Sequence, residues 1–187
     1  MIKFYYGTMG AGKTTELLKT YDIYKRKNRN PLILKPKIDD REGDFDGWGF
    51  TSSRITKDKA PAFYYSNIKD IQKMKFNCIL VDEAQFCSKK DVEFLCKYAD
   101  NKQIDVLAYG LKTDINGNLF NGAEKWLALA DEFKELENLC QIDGCMCKAV
   151  AHKRFINGKP DNSKQSIVID KDNVTYLPVC RKHWRDL

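Results

Sequence analysis

Short apolar runs alternate along the first 130 residues with longer segments whose apolar residues recur every three or four positions. The runs predict buried strands, and the periodic segments predict helices that bury one face. The clearest helix begins at Thr15 and continues to about Arg29, with Leu17, Leu18 and Tyr21 directed at the sheet. Such alternation predicts an α/β fold with a parallel sheet and helices on both faces. Strands are expected over residues 2–6, 31–35, 76–83 and 104–110, and helices over 68–74, 89–102 and 123–130.

The remaining segments have a different character. Residues 42–53 are rich in glycine and aspartate and predict a loop. Asn157-Gly158-Lys159-Pro160 predicts a turn, and short strands are expected over 167–169 and 174–176. No repeat or low-complexity tract interrupts the chain.

The segment Gly7-Thr8-Met9-Gly10-Ala11-Gly12-Lys13-Thr14 lies between the first predicted strand and the first predicted helix. Two glycines five positions apart, followed by Lys and Thr, form the phosphate-binding loop pattern. Backbone N–H groups of such a loop surround phosphate oxygens, Lys13 reaches the β- and γ-phosphates, and the Thr14 hydroxyl ligates Mg²⁺. The alternative is a glycine-rich turn without function. The predicted ATP-binding residues are Gly7, Thr8, Met9, Gly10, Ala11, Gly12, Lys13, Thr14 and Thr15.

Acidic residues follow two of the predicted strands. Asp82 and Glu83 end an apolar strand, where Asp82 would hold Mg²⁺ beside Thr14 and Glu83 could take a proton from an attacking hydroxyl or water. Their alternative is a pair of surface carboxylates. Asp39 and Arg41 follow the second strand and are candidates for contact with phosphate or metal-bound water. Their alternative is a polar loop.

Composition narrows the class of protein. The chain has 187 residues, 43% of them hydrophobic and 31% charged, which is typical of one soluble domain with room for a small appendage. No apolar run approaches the ~20 residues of a membrane span. The phosphate loop begins at residue 7, so no signal peptide is expected, and we predict a cytoplasmic protein without a membrane partner. The net charge of +6 suits a protein that binds polyphosphates or nucleic acid. The basic residues 25–29, however, are interpreted as a solvated helix end.

Cysteines concentrate after residue 139. Cys180 and His183 form a compact half of a zinc site, and Cys140, Cys145 and Cys147 offer three thiols for the two remaining places. A structural Zn²⁺ would fold a segment too small for a core of its own. Unbound thiols are the alternative. The predicted division is therefore residues 1–138 as the α/β domain and 139–187 as a zinc-binding lobe.

Taken together, these segments resemble the type II, or cellular-type, thymidine kinases over about the whole chain. In the N-terminal part, the resemblance rests on the phosphate loop, which continues into Thr15-Glu16-Leu17, and on Lys35-Pro36 followed by Asp39 and Arg41. It also rests on two further segments, Asp82-Glu83-Ala84-Gln85-Phe86 and Gly110-Leu111-Lys112-Thr113-Asp114, the second of which leads to Phe120. In the C-terminal part, it rests on the two halves of the candidate zinc site and on Tyr176, four residues before Cys180.

The resemblance implies transfer of the γ-phosphoryl group of ATP to thymidine, and also to deoxyuridine, on a RecA-like phosphate-loop domain. It implies Glu83 as general base, Arg41 and Lys13 as stabilisers of the transferring group, and a substrate-binding lasso loop in the zinc lobe. It also implies a homotetramer that thymidine triphosphate inhibits, and no nucleic-acid partner. The implied substrate-binding residues are Met9, Asp39, Gln85, Phe86, Leu111, Ile115, Phe120, His152, Ile169 and Tyr176. The implied zinc ligands are Cys140, Cys145, Cys180 and His183, with Cys147 spare.

The chain departs from the family pattern in three places. Ile115 stands where the family often has Phe, and residues 170–173 lack a Gly-Gly pair that is common in the lasso. His152 replaces a small residue, often Thr, near the thymine methyl, and a plain strand residue is the alternative. Two other functions stay open on the residues alone: a phosphate-loop ATPase that acts on nucleic acid through a zinc ribbon, and a nucleotide-binding regulator without catalysis.

Overall fold

The computed structural model describes residues 1–37, 47–161 and 173–186. Its strands are β1 Ile2–Tyr6, β2 Pro31–Pro36, β3 Trp48–Ser52, β4 Lys59–Tyr65, β5 Cys78–Val81, β6 Asp105–Gly110, β7 Glu132–Glu135, β8 Ala151–Ile156, β9 Lys159–Pro160 and β10 Val174–Val179. Its α-helices are α1 Lys13–Arg26, α2 Lys89–Lys102, α3 Asn121–Leu129 and α4 Arg181–Asp186, with 3-10 turns over Ile68–Lys73 and Ala84–Phe86.

Within these ranges, the large sheet has the strand order β3-β4-β2-β5-β6-β1-β7. All neighbours pair in parallel except β3 and β4, which are antiparallel. The predicted α/β class and parallel sheet are confirmed. Because β1, β2 and β5 run in the same direction, their carboxyl ends meet at one edge of the sheet, where ligands bind in such folds.

Helices cover both faces, as predicted. On one face, Leu17 and Leu18 of α1 pack with Ile33, Leu80 and Tyr109. On the other face, the predicted inner residues of α2 (Val92, Leu95, Cys96 and Ala99) join a larger core that includes Trp126 of α3. Burial of these apolar side chains fixes both helices against the strands that carry the candidate site. None of the helices in the described part of the chain has the length and apolar character needed to cross a membrane.

The prediction of a loop over 42–53 is wrong for residues 48–52. They form β3 at one edge of the sheet, paired with Lys59–Tyr65, where the sequence predicted no element. The glycines among residues 43–49 indicated a loop, but residues 48–52 form a strand whose side chains alternate: Thr51 is buried, while Phe50 and Ser52 are exposed. Residues 38–46, 162–172 and 187 lie outside the described ranges, and so does the predicted strand at 167–169.

A second, antiparallel sheet joins β10, β8 and β9 in the described part of the C-terminal segment. The predicted strand at 174–176 is confirmed within β10, and the predicted turn lies at Asn157 and Gly158, both with positive φ. Its small core contains Cys140, Val179 and Cys180. This second core is smaller than the cores on the main sheet, which agrees with a segment that needs another source of stability.

Candidate active site

The glycine-rich loop connects β1 to α1, which is the predicted strand–loop–helix setting. Gly12 precedes the helix with φ of +80°, a left-handed conformation that favours glycine. The Lys13 ammonium donates to the carbonyl oxygens of Gly7 (3.2 Å) and Thr8 (2.8 Å). Burial lowers the pKa of Lys13, and the nearby carboxylates of Glu83 and Asp82 act in the opposite direction. The lysine therefore lies inside the loop and close to both acids.

Asp82 follows β5 and is buried opposite the loop. Its carboxylate accepts hydrogen bonds from the Thr51 hydroxyl at 2.6 Å and the Glu83 N–H at 3.1 Å, with the Thr14 hydroxyl 3.4 Å away. Burial raises the pKa of Asp82, the Glu83 charge raises it further, and the Thr51 hydrogen bond and the Lys35 charge lower it. The predicted pair Thr14 and Asp82 is thus brought together, and a hydroxyl beside a carboxylate suits Mg²⁺.

Thr51 belongs to the candidate site, although the sequence did not predict it there. It reaches Asp82 from β3, and the neighbouring Ser53 hydroxyl lies 2.8 Å from that of Thr15 at the start of α1. The edge strand therefore supports both the acid and the helix beside the loop. The sequence carries no signal for Thr51, because the apolar residues that alternate along β3, Trp48 and Phe50, lie on the exposed face.

Glu83 lies in the turn after β5, with φ of +50°, which is uncommon for a residue other than glycine. The Gln85 amide donates to its carboxylate at 2.7 Å and accepts from the Leu111 N–H at 2.9 Å. Trp126 of α3 donates to the Ala84 carbonyl and fixes the same turn. Backbone strain that the surroundings hold in place is common at functional sites. Gln85, predicted as a substrate contact, thus orients Glu83 and connects it to the loop after β6.

Two of the aromatic residues predicted around the nucleoside, Phe86 and Phe120, pack against each other next to this turn. The rings of Phe86 and Phe120 lie edge to face, with their centroids 5.7 Å apart. Trp184 of α4 donates to the Ile115 carbonyl at 2.9 Å, so this C-terminal helix holds the loop that contains Ile115. Tyr176 lies on β10 opposite Arg154. Asp39, Arg41 and Ile169 lie outside the described residues.

His152 and Met9 are in direct contact. His152 is buried on β8, and its Nε2 accepts a hydrogen bond of 2.8 Å from the Met9 N–H. Burial, and after it the Lys13 charge, lower the pKa of His152 to about 4. Asn138 donates to the Met9 carbonyl at 2.9 Å. This hydrogen bond was not predicted for His152, and Asn138 was not predicted because an isolated Asn has no sequence signature.

The four predicted zinc ligands, Cys140, Cys145, Cys180 and His183, lie together, with their ligand atoms all within 4.8 Å of one another. The His183 Nδ1 lies 3.3 Å from the Cys140 sulfur. A backbone hydrogen bond from His183 is the main cause that lowers the pKa of Cys180, which favours the thiolate that a metal needs. Cys147 is exposed and is not a member of this group. Three thiols and one imidazole suit a structural Zn²⁺.

The parallel sheet, the glycine-rich loop and the acidic pair define a phosphate-loop nucleotide-binding protein. The sequence profile of the thymidine kinase family matches residues 1–184. Thymidine kinase of Streptococcus pyogenes is 40% identical over 185 residues, which cover 96% of this chain and 94% of that protein. Thymidine kinase of Streptococcus agalactiae is 38% identical with the same coverage. The chain therefore belongs to the thymidine kinase family, as the resemblance predicted.

Among solved structures, Bacteroides Pif1 bound to ssDNA covers 71% of this chain and 37% of its own, at 14% identity and a TM-score of 0.39. A likeness this weak carries no argument about fold or function.

Proposed function

We propose that this chain is a nucleoside kinase that transfers the γ-phosphoryl group of ATP to the 5′-hydroxyl of thymidine, and also of deoxyuridine, to give the 5′-monophosphate and ADP. Membership of the thymidine kinase family supports this reaction. The observation that carries it is the Glu83 carboxylate, which Gln85 orients and whose charge acts on Lys13 of the phosphate loop. A kinase needs a base there for the acceptor hydroxyl.

In this mechanism, the Glu83 carboxylate takes the proton of the 5′-hydroxyl as the oxygen attacks the γ-phosphorus. The bond from the γ-phosphorus to the β,γ-bridging oxygen breaks, and ADP leaves. Lys13 balances negative charge on the phosphates, and Arg41 is proposed to do so at the transferring group. Thr14 and Asp82 would hold Mg²⁺, which screens phosphate charge when bound. The protein contributes mainly position and electrostatics.

The nucleoside is proposed to lie against Phe86 and Phe120, next to Met9, Leu111 and Ile115. The ring contact between Phe86 and Phe120 supports an aromatic wall of this kind. Asp39, Ile169 and Tyr176 complete the proposed set by resemblance. Because a hydrophobic wall separates a methyl from a hydrogen by only about 1–3 kcal/mol, we expect deoxyuridine to remain a substrate.

Residues 1–138 are proposed as the kinase domain and residues 139–187 as a zinc-binding lobe with the substrate lasso. The cluster of Cys140, Cys145, Cys180 and His183 supports the metal. A cytoplasmic location, a homotetrameric assembly and inhibition by thymidine triphosphate belong to the same proposal and rest on family resemblance.

Release of ADP from Mg-ATP tests the function, measured with thymidine, with deoxyuridine, with other nucleosides and with none. Release that requires thymidine or deoxyuridine supports the proposal. Release that needs no nucleoside and rises with DNA would refute it in favour of a nucleic-acid ATPase. The absence of any turnover by a protein that binds ATP would favour a regulator.

A further inference from the structure

Both backbone polar groups of Met9, in the phosphate loop, are hydrogen-bonded to side chains from the C-terminal part of the chain. One of these residues lies just before the predicted zinc-binding lobe (residues 139–187, called the small lobe below), and the other lies within it. The Met9 N–H donates to His152 Nε2 at 2.8 Å, and the Met9 carbonyl accepts from Asn138 Nδ2 at 2.9 Å. The two partners lie 143 and 129 positions further along the chain. We refer to His152 and Asn138 as the Met9 clamp.

The orientation of each side chain in the clamp is determined. The Leu139 N–H donates to Asn138 Oδ1 at 2.9 Å, so the amide nitrogen of Asn138 is the atom that faces Met9. His152 can accept from Met9 only through an unprotonated Nε2, which requires the neutral ring with its proton on Nδ1. Burial of the ring and, after it, the Lys13 charge favour this neutral form, and Lys112 and Glu135 line the small cavity beside the ring.

The clamp acts where the loop has conformational freedom. Gly10 follows Met9 directly with φ of +75°, and Gly12 precedes α1 with φ of +80°. Glycine loses more backbone freedom than other residues when it becomes ordered. Fixing Met9 on one side of these glycines therefore reduces the entropy that a bound triphosphate must remove from the loop, which raises affinity through preorganisation.

We propose that His152 and Asn138 are positioning residues that act through Met9 to hold the phosphate loop in the conformation that binds ATP. The inference rests on the proposed function only in taking ATP as the nucleotide. It differs from the expectation that His152 contacts the thymine, because the ring nitrogen is already bonded to the loop. The small lobe then contributes to nucleotide affinity as well as to nucleoside binding.

The test is the dissociation constant of Mg-ATP, measured by calorimetry without nucleoside. His152→Leu and Asn138→Ala each remove one bond without changing the charge near the phosphates, and each should weaken binding about fivefold. Because both act on Met9, the double variant should lose less than the product of the two single losses. His152→Gln can still present an acceptor and should bind within twofold of wild type.

Lys148→Met is the matched control. It removes ion pairs to Glu135 and Glu137 at the base of the small lobe without touching Met9, so ATP affinity should stay within twofold of wild type. If ATP affinity is unchanged in His152→Leu and Asn138→Ala, the proposal is overturned. A rise in the thymidine KM with unchanged ATP affinity would likewise overturn it and make His152 a nucleoside contact.

The wild-type protein provides a measurement that does not depend on the variants folding. The chain has two histidines, so selective ¹⁵N-histidine labelling can report the ring of His152. An unprotonated Nε2 coupled to the Met9 amide supports the clamp, and a protonated Nε2 rules it out. ATP binding and NMR both work without turnover, so a failure of thymidine phosphorylation would leave this test intact.

Discussion

Replacing Thr51 by Val tests whether the edge strand supports the metal site. The substitution keeps the shape of the side chain and removes the hydroxyl that donates to the buried Asp82 carboxylate at 2.6 Å. In the proposed site Asp82 helps to hold Mg²⁺, and Thr51 stands directly behind it. The loss of a residue that orients a metal ligand typically weakens metal binding by about 10–100-fold.

The expected loss of Mg²⁺ affinity follows from the charge on the Asp82 carboxylate, which accepts the Thr51 hydrogen bond. A hydrogen bond to a charged group contributes about 1.5–3 kcal/mol, which corresponds to roughly one to two orders of magnitude in binding. Since the Thr51 hydrogen bond lowers the pKa of Asp82, its removal leaves burial and the Glu83 charge to raise that pKa further. The protonated form of Asp82 binds cations poorly, so the defect should grow as the pH falls.

The assay is turnover at saturating thymidine as a function of free Mg²⁺ at fixed ATP, at pH 6 and pH 8. We expect the Mg²⁺ concentration at half-maximal rate to rise at least tenfold in Thr51→Val, and more at the lower pH. Thr56→Val is the matched control, because Thr56 is exposed in the turn after β3. Half-saturation of Thr51→Val within twofold of wild type at both pH values would refute the reasoning.

Further predictions concern the two acids and the cysteine cluster. Glu83→Gln should lower turnover by about 10²–10⁴ while ATP affinity stays within twofold, and turnover within threefold of wild type would exclude Glu83 as the base. Asp82→Asn should stabilise the metal-free protein at pH 7 by about 1 kcal/mol in urea unfolding, since burial penalises the carboxylate. Because the pKa of Asp82 is raised in the folded state, the stability of the wild-type protein falls as the pH rises above about 3.8. The stability gained by Asp82→Asn should therefore vanish below that pH, and an equal gain at about pH 3 would contradict this reasoning. Removing zinc with a chelator should lower Tm by about 5–10 °C and speed amide exchange in residues 139–187, whereas no bound zinc by atomic absorption and an unchanged Tm would count against the site.

Much of the fold was predictable because local signals agree with the tertiary structure. The central strands β2, β5 and β6 are buried on both faces, so they appear as continuous apolar runs. The edge strands carry no such signal. Glu132–Glu135 is largely exposed, and Gly49 interrupts the pattern of Trp48–Ser52. Their strand conformation depends on pairing with β1 and β4, which single-sequence periodicity does not report.

The residues of the candidate site also fall into those with a local sequence signal and those without one. Lys13, Thr14 and Asp82 were predictable because their chemistry requires fixed spacing from a glycine-rich loop or a strand end. Thr51 and Asn138 were not, because each reaches the site from a distant segment through a single hydrogen bond. Such residues become visible only when the fold brings the segments together. The zinc ligands lie between these cases, since three thiols left the choice of Cys145 over Cys147 to the resemblance.

The structure separates two adjacent carboxylates by environment, and this separation supports different roles. Asp82 is buried, and its two oxygens accept hydrogen bonds from the Thr51 hydroxyl and the Glu83 N–H. Glu83 is half-buried and turned out of the strand by its left-handed backbone, with Gln85 on one oxygen. In the described ranges its second oxygen makes no hydrogen bond. A fixed, buried carboxylate suits a cation, whereas an oriented carboxylate with one available oxygen suits proton transfer. In the proposed mechanism, the backbone turn at Glu83 and its amide partner therefore favour Glu83 over Asp82 as the base.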